Sequence, residues 1–261
     1  MKPFILITND DGINSPGIQS LALKLKQIAQ IIVIAPDREQ SAVGHSLTMN
    51  KPLRVIPFRK NGEFFGYAVN GTPADCVKIA LTTLLDRKPD MVVSGINHGQ
   101  NTAINILYSG TVSASTEGML FGIKSIAFSV ASHNWELDMD TASEYSLEVV
   151  KKALKIDFPK DTFLNVNIPA IEKDSIKGIK VTQVGSGYWK DFYVKRQDPF
   201  NREYYWFSGE YYESEDEIKN DDIAVKNNFV SVTPIKYQLT NFEELKLFAD
   251  FENENKQNNT H

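Results

Sequence analysis

Phe4-Ile5-Leu6-Ile7-Thr8-Asn9-Asp10-Asp11-Gly12 sets a short apolar and β-branched run directly against two adjacent carboxylates. A run apolar at successive positions, and not at alternate ones, suits a strand buried on both faces, as in a parallel sheet. The end of the run has two readings. Asn, Asp and Gly tolerate unusual backbone angles and bond the local backbone, so NDDG reads as a turn. Two neighbouring like charges are also costly unless something positive lies between them, and a divalent cation is the usual compensator.

Runs of the same kind recur at 31–35 (IIVIA), 91–94 (MVVS), 125–130 (SIAFSV) and 163–169 (FLNVNIP). Helical patterns lie between them. Ile18, Leu21, Leu25 and Ile28 follow helical spacing, Thr72-Pro73 is a cap and first-turn pair for Ala74 to Leu85, and Thr141 to Leu154 forms another candidate. Strands alternating with helices predict an α/β fold: a Rossmann-like, doubly wound, mostly parallel sheet.

The bulk properties exclude several classes. With 261 residues, 42% of them apolar, the chain can bury a sizeable core. A formal net charge of -5 argues against binding a nucleic-acid polymer, which requires a basic surface, so any phosphate site must be local. Met1-Lys2-Pro3 leads straight into the first strand without a signal-peptide pattern, and no stretch approaches the ~20 apolar residues of a membrane span. The lone Cys76 cannot form an internal disulfide, which suits a reducing compartment. The expected location is cytoplasmic.

After about residue 170 the composition turns aromatic, with VTQVGSGYWKDFYV, EYYWFSGEYY and FVSVTPIKYQL reading as antiparallel strands and hairpin arms. The expected organisation is a catalytic core over 1–170 and a C-terminal extension over 171–261. Asn241 to Phe251 reads as an amphipathic helix, Glu252 to His261 as a polar tail, and the acidic ESEDEIKNDD (213–222) as a solvated loop.

In an open parallel sheet, ligands bind beyond the carboxyl ends of the strands. Those ends carry Asn9-Asp10-Asp11-Gly12, Pro36-Asp37-Arg38-Glu39-Gln40-Ser41 and Gly95-Ile96-Asn97-His98-Gly99. Asp10, Asp11, Ser41 and Asn97 together make an all-oxygen set, which favours Mg²⁺, Mn²⁺ or Ca²⁺ over zinc. In YSGTVSASTEG (108–118), Ser109-Gly110-Thr111 open a stretch of small helix-compatible residues. This is an ordinary capped helix start, or, beside a metal, a set of backbone N–H donors for a phosphate.

NDDG, PDREQSAVGHS (36–46), NGTPADCV (70–77), SGINHGQN (94–101) and YSGTVSASTEG, in this order, closely resemble the SurE family of nucleotidases over residues 4 to 130, and VSVTPI (230–235) extends the likeness. The resemblance implies a metal-dependent phosphatase of nucleoside 5′- and 3′-monophosphates, in some members also an exopolyphosphatase. It carries the metal ligands onto Asp10, Asp11, Ser41 and Asn97, the first two and Asn97 being also catalytic. Asn9, Asn101, Ser109, Gly110 and Thr111 are expected to hold phosphate oxygens. It also implies a homodimer built by exchange of C-terminal segments, often paired again into a homotetramer.

Among the histidines, His98 reads as a solvent-facing loop residue, with proton transfer beside a metal as its functional alternative. His45 divides between a phosphate contact and a local hydrogen bond, and His133 attracts no role. Two rivals to the metal phosphatase rank lower. An aspartyl-nucleophile phosphatase shows Asp-x-Asp after its first strand, and here the aspartates are adjacent. A dinucleotide oxidoreductase needs more than GSGYWK (185–190), which lacks the third glycine. The alternative from another class is a nucleotide-binding or sensor protein without turnover.

Overall fold

A computed structural model describes residues 2–251, so the polar tail expected over 252–261 lies outside the described residues. The elements run β1 (Phe4–Thr8), α1 (Pro16–Leu25), β2 (Gln30–Pro36), β3 (Val55–Lys60), β4 (Glu63–Val69), α2 (Pro73–Ile79), β5 (Met91–His98) and α3 (Gly110–Leu120). There follow β6 (Lys124–Val130), α4 (Asp140–Ala153), β7 (Thr162–Ile168), β8 (Ile179–Val181), β9 (Tyr188–Gln197), β10 (Glu203–Tyr212), α5 (Asp221–Lys226) and β11 (Val230–Lys236). Local sequence explains the helix starts. Ser15 caps α1 ahead of Pro16, and Thr72 and Asp75 form a reciprocal capping box around Pro73. The helix expected to reach Leu85 leaves α geometry after Ile79 and continues as one π-type turn, Ala80–Leu84.

Nine strands form one sheet in the order β3-β4-β2-β1-β5-β6-β7-β11-β8. Its centre, from β4 to β7, is parallel. The strands alternate their side chains between two cores, as the pleat demands. Ile5 and Ile7 of β1 pack with α1 and α4 on one face, while Leu6 packs with α2 and α3 on the other. This two-sided burial is why the predicted strands read as unbroken apolar runs.

The chain leaves β1 for β2 on one side and later crosses to β5 on the other, so the strand order reverses between β1 and β5. A crevice opens at such a point. Close approach shapes it: a Cβ on Gly17 at the start of α1 would lie 1.9 Å from the Ile96 carbonyl oxygen, so α1 seats against the end of β5 only with glycine there.

Past residue 170 the outcome is mixed. β9 and β10 form a separate antiparallel pair, as expected of a hairpin arm. β11 instead joins the main sheet, antiparallel to β7 and parallel to the three-residue β8. Asn241 to Phe251 is not an α-helix: Leu245–Phe251 is a 3-10 helix whose Leu245, Leu247, Phe248 and Phe251 are exposed. The acidic stretch departs from the expected solvated loop at its end, where Asn220, Asp221 and Asp222 are buried.

Candidate active site

An open cavity of about 470 Å³ lies at the carboxyl edge of β1 and β5, and Asp10, Asp11, Ser41, Asn97, Asn101 and Ser109 all line it. The crossover brings the first four together from three separate strand ends. Asn9, Gly110 and Thr111 stand behind the wall. The buried Asn9 donates its amide to the Gly12 carbonyl (2.9 Å) and to Ser15 Oγ (2.8 Å), fixing the turn that carries both aspartates.

Asp10 is buried at the N-terminus of α3. Thr111 donates its backbone N–H to Asp10 Oδ2 at 3.1 Å and its hydroxyl to Oδ1. Burial, then the neighbouring Asp11 charge, push the Asp10 carboxyl up to about 7 in spite of these bonds. A Cβ on Gly110 would lie 2.9 Å from Asp10 Cβ, so glycine lets the helix end reach the carboxylate. Ser109 supplies the cap by accepting from Val112 N–H at 3.1 Å.

Asp11 Oδ2 faces His98, whose backbone N–H and ring Nδ1 both lie 3.1 Å away. His98 is therefore not the solvent-facing loop residue expected. It ends β5, is buried, and stacks on Trp135 with ring centroids 4.4 Å apart. A proton on Nδ1 satisfies Asp11 and leaves Nε2 as acceptor, an atom that is buried without a partner among the described residues. The Asn97 amide nitrogen donates to the Gly99 carbonyl at 2.7 Å, so its oxygen is what remains to offer the cavity. Ser41, on an exposed loop, donates its hydroxyl to Glu39.

His45 does not line this cavity. Its Nε2 lies 2.8 Å from Glu117 Oε2, and Lys78 Nζ lies 2.6 Å from Oε1. Burial raises the Glu117 carboxyl, but the bonds from His45 and Lys78 outweigh it and hold the group below its ordinary value. The local alternative for His45 is the one realised. It fastens the loop that carries Ser41 to α3.

Sequence reasoning missed several wall residues: Glu39, Tyr108, His133, Trp135, Trp189 and Tyr211. In the sequence Trp189 stands within an aromatic stretch that reads as a hairpin arm. Trp189 Nε1 in fact donates to Asn105 Oδ1 at 2.8 Å and its ring meets Tyr211 at 5.2 Å, so the root of the hairpin closes one side of the cavity. Also missed was the support of Asn101. Its backbone N–H donates to Asn167 Oδ1 (2.7 Å), and its carbonyl accepts from Asn165 (2.7 Å) and Asn167 (3.2 Å), both buried on β7.

Among the described residues, no three His, Cys, Asp or Glu side chains converge as a metal cluster. A cation here would rest on two carboxylates completed by neutral oxygens. The donor chemistry suits that: Asp10 and Asp11 bring hard oxygens and excess negative charge, Ser41 a hydroxyl and Asn97 an amide oxygen.

The survival protein SurE family model matches residues 5–191. Two 5′-nucleotidases SurE are similar along nearly their whole length. That of Chlorobium chlorochromatii is 45% identical over 93% of this chain and 89% of its own. That of Natranaerobius thermophilus is 45% identical over 95% and 98%. The crystal structure of the SurE protein from Aquifex aeolicus superposes with a TM-score of 0.84 at 42% identity, covering 96% of this chain and all of that one.

Proposed function

Because this chain belongs to the survival protein SurE family, we propose that it is a 5′-nucleotidase, hydrolysing nucleoside monophosphates to nucleoside and phosphate with one divalent cation, Mg²⁺ or Mn²⁺. The observation that carries the reading is the pair Asp10-Asp11 at the switch point, sharing one cavity with Ser41 and Asn97.

Asp10, Asp11, Ser41 and Asn97 would hold the ion. When bound, it offsets the two carboxylates and polarises the phosphoryl oxygens. The rest falls to the chain. Asn101 and Ser109, at the start of α3, receive the phosphate oxygens and stabilise the charge that builds on them, while Thr111, expected to share that task, holds Asp10 instead and Asn9 fixes the turn behind. His98 and His133, not His45, are the histidines at the cavity, and His98 is the one that holds Asp11 through its ring Nδ1. Tyr108, Trp135, Trp189 and Tyr211 offer flat apolar faces to the nucleoside.

The same reading extends to the assembly and its setting. Exposed aromatics along β9 and β10, including Tyr193, Tyr205, Trp206 and Phe207, support a homodimer formed by C-terminal exchange. No helix among the described residues is long and apolar enough to cross a membrane. The buried, unpaired Cys76 suits a cytoplasmic setting.

A phosphate-release screen over nucleoside 5′- and 3′-monophosphates, polyphosphate and sugar phosphates tests the proposal, run with Mn²⁺, with Mg²⁺ and with chelator. The expected result is release from 5′-monophosphates that stops on chelation and returns with Mn²⁺ or Mg²⁺ better than with zinc. Full activity after exhaustive chelation, or tight nucleotide binding without any release, overturns it.

A further inference from the structure

The acidic stretch 213–222 belongs in solvent by charge alone, yet Asp221 is completely buried. Among the described residues no cation pairs with it. Its partners are backbone N–H groups. Oδ1 accepts from Gly185 (2.9 Å) and from Asp222 (2.9 Å), and both carboxylate oxygens lie 3.2 Å from the Ala103 nitrogen. Burial pushes the carboxyl up to about 6 even against these bonds.

The three N–H groups belong to three different parts of the molecule. Gly185 lies on the way into β9, Asp222 lies in α5, and Ala103 lies two residues after Asn101 in the cavity wall. Ala103 has φ +48, a left-handed conformation that residues with a side chain seldom adopt. Such a conformation persists only where its surroundings over-determine it. Asn165 and Asn167 hold the first half of this turn through the Asn101 backbone, and Asp221 holds the second half. Asp222 repeats the device at the hairpin exit: its Oδ2 accepts from Ser214 N–H (3.0 Å), Ser214 Oγ (2.8 Å) and the hydroxyl of Tyr211 (3.1 Å).

We propose that Asp221 is a positioning residue for the phosphate end of the site, holding the 101–103 turn so that Asn101 faces the phosphate and tying the hairpin root to that turn. The inference rests on the phosphatase reading above and adds to it a residue that touches neither metal nor substrate. Removing the carboxylate orphans three backbone N–H groups, one of them on the turn itself.

The test compares full-length wild type, Asp221→Asn and Asp221→Ala. The readouts are turnover of a nucleoside 5′-monophosphate with Mn²⁺, calorimetric binding of inorganic phosphate with Mn²⁺, and the Mn²⁺ concentration that half-activates. In Asp221→Ala, KM and the phosphate dissociation constant should rise about tenfold, the equivalent of one well-made bond, with kcat and half-activating Mn²⁺ nearly unchanged. Asp221→Asn keeps Oδ1, which serves all three donors, but loses the charge that strengthens them, so it should fall between the two, raised roughly two- to fivefold. A folded Asp221→Ala with wild-type KM and phosphate affinity overturns the proposal. Should that variant not fold, Asp221→Asn decides alone, and unmoved constants overturn it. A wild-type chain that releases no phosphate overturns the nucleotidase reading and this inference together, whereas an active wild type with unmoved variants counts against Asp221 only.

Discussion

At the scale of single residues, the same side chain does opposite things in two places. Asp10 and Asp11 sit side by side at an open cavity, where their combined charge is useful only if a cation answers it. Asp11→Asn keeps the shape and removes one negative ligand. Metal-dependent phosphate release should fall by more than the roughly 10–100-fold that loss of an outer partner costs, while chemical denaturation shows a folded protein. Turnover at the wild-type rate in saturating Mn²⁺ would remove Asp11 from the ligand set. Asp221 is a charge held by amides alone, and its stability effect has a definite sign. Its folded value of about 6 lies above the ordinary 3.8, so the folded state binds this proton more tightly than the unfolded chain. The resulting stability is fully present below about pH 4 and is lost as pH rises through about 6. Asp221→Asn cannot titrate there. Between pH 7.5 and pH 5, urea denaturation should show the wild type gaining roughly 1.4 kcal/mol relative to the variant, and a pH-independent difference would refute the assignment. The first pair was legible in the sequence because it comes after a strand whose apolar run announces where it ends. Asp221 was not, because ESEDEIKNDD has the composition of a solvated loop, and only the packing of α5 under the hairpin root takes its last residues out of water.

Among the elements, α3 is where propensity and site disagree. Every residue from Gly110 to Met119 is buried, so the helix is wedged between β5, β6 and α2 with no solvent face. Gly to Ala within an exposed helix gains about 1 kcal/mol. At Gly110 the added methyl would press on Asp10 Cβ (2.9 Å), Asp10 Oδ2 (3.0 Å) and Pro73 Cγ (3.2 Å). Gly110→Ala should therefore lose stability by ~1–3 kcal/mol, the usual cost of overpacking, and lose phosphate release with it. A raised melting temperature with full activity would show that the helix end has room to retreat. The central strands and the starts of α2 and α3 were readable because burial on both faces and capping chemistry are local signals. The β3–β4 hairpin carries a local signal as well: Asn61 and Gly62 both have positive φ, as an Asn-Gly two-residue turn demands. The place of β11 has none, since nothing in VSVTPI says that it will pair with β7 and β8 rather than with another aromatic arm.

For the whole molecule, the apolar surface is concentrated in the C-terminal third, beyond the α/β body. Tyr193, Trp206 and Phe207 of the hairpin are exposed, and so are Phe242, Leu245, Leu247 and Phe248 near the end of the described chain. Two such surfaces on one chain are suited to burial in an exchanged dimer. Removing residues 241–261 should weaken or abolish the oligomer in light scattering, while the cavity residues remain in place. A full-length monomer at micromolar concentration, or an unchanged oligomer after truncation, would show that the assembly uses other contacts. The sheet order also bears on how the chain is made. β8 is three residues long and lies at the edge of the sheet with β11 as its neighbour, and β11 is translated only after ~50 further residues, which takes a ribosome several seconds at about 5–20 residues per second. Until then β7 lacks its neighbour on that side and β8 has no strand to join. The edge on which the Asn165 and Asn167 clamp depends is thus the last to close on the nascent chain, and a pause or an early stop in translation between β10 and β11 leaves that side of the sheet open to whatever meets it first.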